Sequence, residues 1–434
     1  MKKRIVALAL AMMAATACFG ACNGGGNQGD SNTITFGVSQ DASEYNTALA
    51  LKRAYESKNP DITIEIKQLQ NYQQDVVNAL RSDTLPDVLF TQDDTVAYFA
   101  QNGVFEPLDT YMTNSGVDAS QYYDVIMEIA KPLDDNKVYF MPRDYNKVVC
   151  FINEDMFEAA NIEIPSDDWT WDDFLAICAQ FRTKMDENAN TKAGLRAENF
   201  PVFANVGWKA VYWPVIASYG ETIFNASNDF ALTADSQGLA ALKNLVDNRY
   251  TVDASTNGTG QFKEGKVAMA FSVRPNLSSY LEEIDANFVS FPAITANNSP
   301  KVGMGCSGYG ITSTNDNKDK AWDFLKFIIS QEGQEAFSAT GNCIPVIKSM
   351  ADSTCWKNIT VSEVDISAKN HAAFTKYSER DLVTNYMGSI APGKHSSIYT
   401  QMDEMMKQMY SDDYKNDLAS CISTYKTRIE NIIG

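Results

Sequence analysis

The chain predicts an α/β fold built on parallel strands, and three observations carry that expectation. Residues 33–38 alternate as a strand, residues 44–57 carry helical apolar spacing through Leu51, Ala54 and Tyr55, and Ile62, Ile64 and Ile66 alternate again, which together read as a βαβ unit. Pro86 then introduces Asp87-Val88-Leu89-Phe90, a short run of the kind that sits fully buried in parallel sheets. With 434 residues, 44% of them hydrophobic, the chain can bury substantial cores and is long enough for two or more domains.

Ahead of that unit the sequence reads as an export leader. Lys2, Lys3 and Arg4 form a basic start, residues 5–19 are apolar but too short to span a bilayer, and Phe19-Gly20-Ala21-Cys22 offers small residues before a cut. The arrangement resembles a bacterial lipobox, which implies that residues 1–21 are removed and that Cys22 carries a diacylglyceryl group and palmitate. Two or more acyl chains anchor stably where one would be marginal. Cys18, preceded by Ala15-Thr16-Ala17, competes for the role; Cys22 is favoured because the apolar run continues through Phe19. The glycine-rich residues 22–32 read as a flexible tether. No later apolar segment is long enough to cross a bilayer, so the expectation is a chain on the extracellular face of the cell membrane, held by lipid alone.

Beyond the βαβ unit, Asn59-Pro60 stops the first helix, residues 72–82 read as a second, and residues 95–101 as a third closed by Asn102-Gly103. Thr170-Trp171-Asp172-Asp173 places a hydroxyl three residues before a carboxylate, a capping box with Asp for the usual Glu or Gln, so a helix should start there and run to about Lys184. Residues 186–199 are polar and irregular, a surface excursion. Amphipathic helices are expected over 234–246 and 318–330, buried strands over 267–271 and 288–291, and a mostly helical segment over 396–433.

Composition excludes several functions. Thirty-six basic against 55 acidic residues give a net charge of -19, which argues against nucleic acid as a partner. Cys150, Cys178, Cys306, Cys343, Cys355 and Cys421 show no C-x-x-C spacing, and His371 and His395 are too few and scattered for a zinc site, so neither a metal nor a cofactor is expected. Cys150 and Cys178 read as small core hydrophobes; whether Cys343 pairs with Cys355 stays open.

Several short segments, taken together in order, resemble the extracellular solute-binding proteins of ATP-driven importers, the family that includes maltose- and other sugar-binding proteins. They are Pro86-Asp-Val-Leu-Phe90, Gly103-Val-Phe-Glu-Pro-Leu-Asp109, Phe151-Ile-Asn-Glu-Asp-Met-Phe157, Thr170-Trp171, Phe262-Lys-Glu-Gly-Lys-Val-Ala-Met269, Gly310-Ile-Thr312, Ala321-Trp-Asp-Phe-Leu-Lys-Phe327, and residues 341–345. The resemblance implies two α/β lobes joined by a hinge, with a ligand cleft between them: one lobe from residues 33–141 plus 274–330, the other from 144–273 plus 331–434. It implies a monomer that closes on carbohydrate and works with the permease subunits of an ABC importer.

A saccharide offers apolar ring faces and a rim of hydroxyls, so its site needs aromatic planes with polar neighbours. The stretch Trp208 to Gly220 supplies the candidate platform. Its Trp213-Pro214 pair resembles the stretch of maltose-binding proteins whose tryptophan stacks on a sugar; Trp213 reads as stacking platform or helix core, and Trp208 likewise. Asp93 and Asp94 follow an expected parallel strand, where open α/β sheets bind ligands, and one should cap the next helix while the other, Asp94, binds. Gln40 and Asp41 share that ambiguity after the first strand. Asp144 matches a region of polar ligand contact in relatives, although their commoner glutamate position falls on Asn146. Arg274 should emerge at the second crossing, to bridge hydroxyls, bind a uronate carboxylate or pair with an Asp. Ser307 and Tyr399 complete the candidates.

Two other classes compete. A binder of peptide or another polar solute shares the fold, because fold does not report ligand. A surface glycoside hydrolase would need two carboxyls about 5–9.5 Å apart, one with a raised pKa; the adjacent pairs Asp93-Asp94 and Asp167-Asp168 offer neither, so no catalytic residues are assigned.

Overall fold

Residues 32–252, 258–341, 343–411 and 413–434 are described in a computed structural model; the leader, Cys18, Cys22 and residues 23–31 of the tether lie outside them. In chain order the strands are β1 (Thr33–Ser39), β2 (Thr63–Leu69), β3 (Val88–Gln92), β4 (Met141–Pro142), β5 (Asn146–Lys147), β6 (Val149–Asn153), β7 (Phe200–Phe203), β8 (Val267–Ser272), β9 (Ala286–Ser290), β10 (Val302–Gly305), β11 (Ser307–Ile311), β12 (Thr360–Val361), β13 (Val364–Asp365) and β14 (Asp381–Val383).

The βαβ unit forms as expected. β1 runs into the helix Ala42–Lys58, whose first turn is capped by Asp41 accepting from the Ser43 and Glu44 amides, and β2 returns parallel to β1 with Ile34 opposite Ile64. Ile34, Phe36 and Val38 are buried on one side of the ladder with Leu51 of the helix against them. The helix Tyr72–Ser82 and β3 follow, β3 lying parallel on the other side of β1.

From there the parallel expectation fails. The first sheet has the order β2-β1-β3-β11-β4, with β11 antiparallel to both neighbours. The second has the order β7-β8-β6-β9, and only β7 and β8 are parallel. A helical crossover between neighbours fixes a strand's direction locally. β11 and β9 instead reach their sheets by long routes, so their direction is set by how the chain returns.

Each sheet anchors a lobe. In the first, Phe36 meets Tyr309 and Phe324 edge to face at 4.8 and 5.1 Å. In the second, Cys150, Ile152, Val202 and Met269 pack with Phe174, Phe181 and the helices Lys209–Ser218, Gln237–Asp247, Pro392–Gln408 and Leu418–Ile433. The capping box is present, Thr170 and Asp173 bonding reciprocally ahead of the helix Trp171–Asp186. The excursion over 186–199 is pinned underneath by buried Arg182, which donates to the carbonyls of Asn199 (2.6 Å) and Ala197 (2.9 Å).

The lobe boundaries differ from those expected. β9 pairs with β6, so residues 286–290 join the second sheet, while the helix Gln331–Ser338 packs against Ala42–Lys58 in the first lobe. Gln334 fastens it there, donating to the Arg143 carbonyl at 3.0 Å and accepting from the Val346 amide at 2.7 Å. Among the described residues, three connections run side by side between the lobes. The amides of Arg143 and Asp144 donate to the Ser307 carbonyl (2.8 and 3.3 Å), and the Tyr145 amide to the Ile344 carbonyl (3.1 Å). β14, β10 and β5 form a small sheet at this hinge, where the buried Lys147 ammonium lies 2.6 Å from Asp381. Cys343 and Cys355 are both free.

Candidate functional site

β3 delivers Asp93 and Asp94 to the face between the lobes. Neither caps the following helix Val96–Gln101: its N-cap is Thr95, whose hydroxyl bonds that of Thr91 at 3.1 Å. Asp93 turns toward the hinge, accepting from the Thr384 hydroxyl at 3.2 Å while its amide donates to the Cys306 carbonyl at 3.2 Å. Burial raises the Asp93 pKa to about 6, with the Lys209 ammonium opposing and the neighbouring Asp94 charge adding to the shift. Asp94 Oδ2 accepts from Lys209 Nζ at 3.1 Å, and its Oδ1 is buried with no partner.

Lys209 opens the helix Lys209–Ser218 of the second lobe, so this pair joins the two lobes. The same ammonium lies 4.1 Å from the ring centroid of Tyr399, a cation–π contact. Tyr399 meets Tyr386 edge to face at 5.3 Å, and Tyr386 meets Trp213 at 5.8 Å. Trp213 sits one helical turn beyond Lys209, on the same face. It is half-buried, and its Nε1 has no partner. Tyr386 is fixed by its hydroxyl, 2.7 Å from that of Tyr212, and the Tyr399 hydroxyl donates to Asn385 at 3.3 Å. Pro214 follows Trp213 inside the helix and lacks the amide that would bond the Ala210 carbonyl. Gly303 of the hinge strand β10 comes against that carbonyl so closely that a Cβ there would lie 2.1 Å from it.

Beside this wall lies a cavity of about 360 Å³, lined by Asp41, Glu44, Gln92, Asp144, Ser307 and neighbours at the carboxyl ends of β1 and β3. Its floor is a buried ion network. Arg143 Nη1 reaches both Glu44 oxygens (2.7 and 2.8 Å) and the Tyr309 hydroxyl (2.6 Å), while its Nη2 reaches Asp144 Oδ2 at 2.7 Å. Asp144 Oδ1 accepts from the Ser307 amide at 2.7 Å and from Asn146 at 3.1 Å. Burial pushes the Glu44 pKa up, against the pull of Arg143.

The structure therefore brings Asp94, Trp213 and Tyr399 together and sets Asp144 and Ser307 in the adjoining cavity. Trp208 is half-buried against the second core at the start of its helix. Gln40 is exposed and its amide donates to the Gln70 carbonyl at 3.4 Å, away from the cavity lining. Arg274 requires a correction. It is fully buried and donates to the carbonyls of Gly341 and Trp356 (2.8 Å each) and to His371 Nδ1 (3.1 Å), so its guanidinium holds the hinge region together and is not offered to ligand. Sequence reasoning missed Lys209, Tyr386, Glu44 and Arg143. Lys209 could have been found, since it shares a helical face with Trp213; nothing local marks the other three. Among the described residues, no group of three or more His, Cys, Asp or Glu could hold a metal.

A family model described as bacterial extracellular solute-binding protein matches residues 50–374. A binding protein of Brucella abortus is 26% identical over 317 residues, 69% of this chain and 72% of its own. The ABC transporter periplasmic-binding protein YcjN of Escherichia coli is 23% identical over 317 residues, 70% of each chain. Among solved structures, the ABC substrate-binding protein Lmo0181 of Listeria monocytogenes in complex with cycloalternan aligns with a TM-score of 0.74 at 17% identity, covering 92% of this chain and 98% of its own. UgpB of Mycobacterium tuberculosis in complex with glycerophosphocholine gives 0.74 at 16%, covering 92% and 98%. The Thermus thermophilus maltotriose-binding protein bound with maltotriose gives 0.69 at 19%, covering 92% and 100%. Such identities fix the fold: two α/β lobes.

Proposed function

Because the chain belongs to the bacterial extracellular solute-binding proteins, we propose that it captures an oligosaccharide in the interlobe cleft by hinge closure and hands it to the permease subunits of an ABC-type importer. The observation that carries this reading is the continuous run Asp94, Lys209, Tyr399, Tyr386, Trp213 across the lobes. It combines aromatic faces with a buried lone acceptor, Asp94 Oδ1, and a buried lone donor, Trp213 Nε1. Sugar hydroxyls both donate and accept, and can satisfy both. A ligand touching Asp94 on one lobe and Trp213 on the other gains its full set of contacts only when the lobes close, so it shifts the population toward the closed form.

No bond need be broken. Glu44 and Asp144 share one guanidinium, which suits holding rather than proton transfer to a glycosidic oxygen. A thermal-shift screen of mono- and oligosaccharides, with peptides as controls, tests the reading, since a tight ligand raises stability by RT ln(1 + [L]/Kd). Saccharides should raise the melting temperature and peptides should not; stabilisation by peptides alone, or release of reducing ends from a bound oligosaccharide, overturns it.

The receptor sits, in this reading, on the outer face of the cell membrane as a monomer, held through acylated Cys22 and the glycine-rich tether. The sequence pattern around Cys22 supports this. Cys22→Ala should release the protein into the medium and Cys18→Ala should not; the reverse would move the anchor to Cys18.

A further inference from the structure

The cavity beside the aromatic wall has a charge imbalance that bears on the ligand's class. Asp41, Glu44 and Asp144 line it, against one cation, Arg143. Arg143 is fully engaged: Nη1 with both Glu44 oxygens and the Tyr309 hydroxyl, Nε and Nη2 with Asp144. Asp41 is occupied as a helix cap, and among the described residues no lysine and no second arginine lines the cavity. Glu44, Arg143 and Asp144 are each more than nine-tenths buried, so the surplus negative charge is poorly screened. Acceptors are also in excess. Asn146 lines this space and its Oδ1 is buried without a partner, while the Tyr72 hydroxyl gives its proton to the Phe90 carbonyl, leaving its oxygen to accept.

We propose that this cavity seats an ammonium group, and that the receptor's ligand is an amino-bearing saccharide rather than a neutral or acidic one. The inference rests on the cleft reading above and names the ligand class within it. An ammonium brings one positive charge and three donors with no acceptor, which matches a site with a surplus carboxylate and one buried oxygen, Asn146 Oδ1, without a partner. A uronate or sugar phosphate would bring negative charge to a cavity whose lining cation, Arg143, is already shared by two carboxylates. A neutral hydroxyl could fill the space but would leave the buried charge uncompensated.

Titration calorimetry at neutral pH with matched ligands tests this: a glucosamine oligosaccharide, its N-acetylated counterpart, a uronate oligosaccharide of equal length, and a simple diamine. The glucosamine oligomer should bind at least about tenfold more tightly than the N-acetylated one, and the uronate most weakly. Equal or tighter binding of the N-acetylated or uronate oligomer overturns the ammonium subsite while leaving the saccharide receptor standing. Binding of the diamine alone overturns the saccharide reading and supports the subsite; binding of none overturns both. Glu44→Gln, which keeps shape and removes charge, should cut the preference for the amine about tenfold, and an unchanged ratio counts against the proposal. The wild-type titrations stand without that variant should it fail to fold.

Discussion

Lys209 and Asp94 make a charged contact between the two lobes, Nζ to Oδ2 at 3.1 Å, with side chains 16% and 34% exposed. A pair this accessible contributes less than about 1 kcal/mol. That is enough to bias an equilibrium between open and closed forms that are close in energy. Lys209→Met should therefore enlarge the radius of gyration of the ligand-free protein in small-angle scattering, and high salt should do the same to the unsubstituted chain. Saturating ligand should restore the smaller radius in both. An unchanged radius in the variant would make the ion pair a result of lobe contact and not a cause.

Trp213→Ala should weaken ligand binding by at least about 1.5 kcal/mol, as loss of a central aromatic contact does. Trp213 is half-buried, so the melting temperature without ligand should move little. Trp356 provides the contrast. It is fully buried, and Trp356→Ala should destabilise by about 3–5 kcal/mol. Equal destabilisation by the two variants would mark Trp213 as core.

Arg274→Met should destabilise the fold by roughly 3 kcal/mol, because it strips donors from the buried carbonyls of Gly341 and Trp356. Ligand affinity, measured well below the melting transition, should stay within about twofold. A selective loss of affinity at unchanged stability would return Arg274 to the ligand site.

His371 sets a pH dependence. Arg274 Nη1 can only donate, so His371 Nδ1 accepts and Nε2 carries the proton, given to the Ile366 carbonyl at 2.7 Å. Burial first, and then the Arg274 charge, lower the His371 pKa from 6.5 to about 4. Below about pH 6.5 the unfolded chain takes up a proton that the folded chain refuses until about pH 4. Stability from this group is therefore complete above about pH 6.5 and falls as pH drops toward 4, by up to about 3 kcal/mol. Denaturant melts of His371→Gln should lose this slope; a slope equal to that of the parent would assign the acid sensitivity elsewhere.

What the sequence made legible follows from range. The helix over 72–82, the capping box at Thr170 and the strands around Ile34 and Ile64 depend on neighbours a few residues away, and all formed where expected. Asp94, Trp213 and Tyr399 were among the candidate ligand residues and are brought together in space. Strand direction in β11 and β9 was illegible, because it depends on where the chain re-enters each sheet. Arg274 misled for a related reason: an arginine after a strand looks like a surface cation, and only tertiary structure reveals the carbonyls that absorb its donors. Glu44 reads locally as one more helix charge, and nothing near it in sequence announces Arg143, 99 residues away.

The backbone contact between Gly303 and Ala210 has a mechanical meaning. Gly303 lies in the hinge sheet, and Ala210 is the residue after Lys209 on the helix that also carries Trp213. With no side chain between them, the hinge strand and the helix that carries Trp213 mesh like gear teeth without backlash. Rotation at the hinge must carry the aromatic wall with it, and the direction of closure is set by main chain rather than by whichever side chains the cleft displays. Cleft residues are then free to diversify toward new solutes while the stroke stays the same.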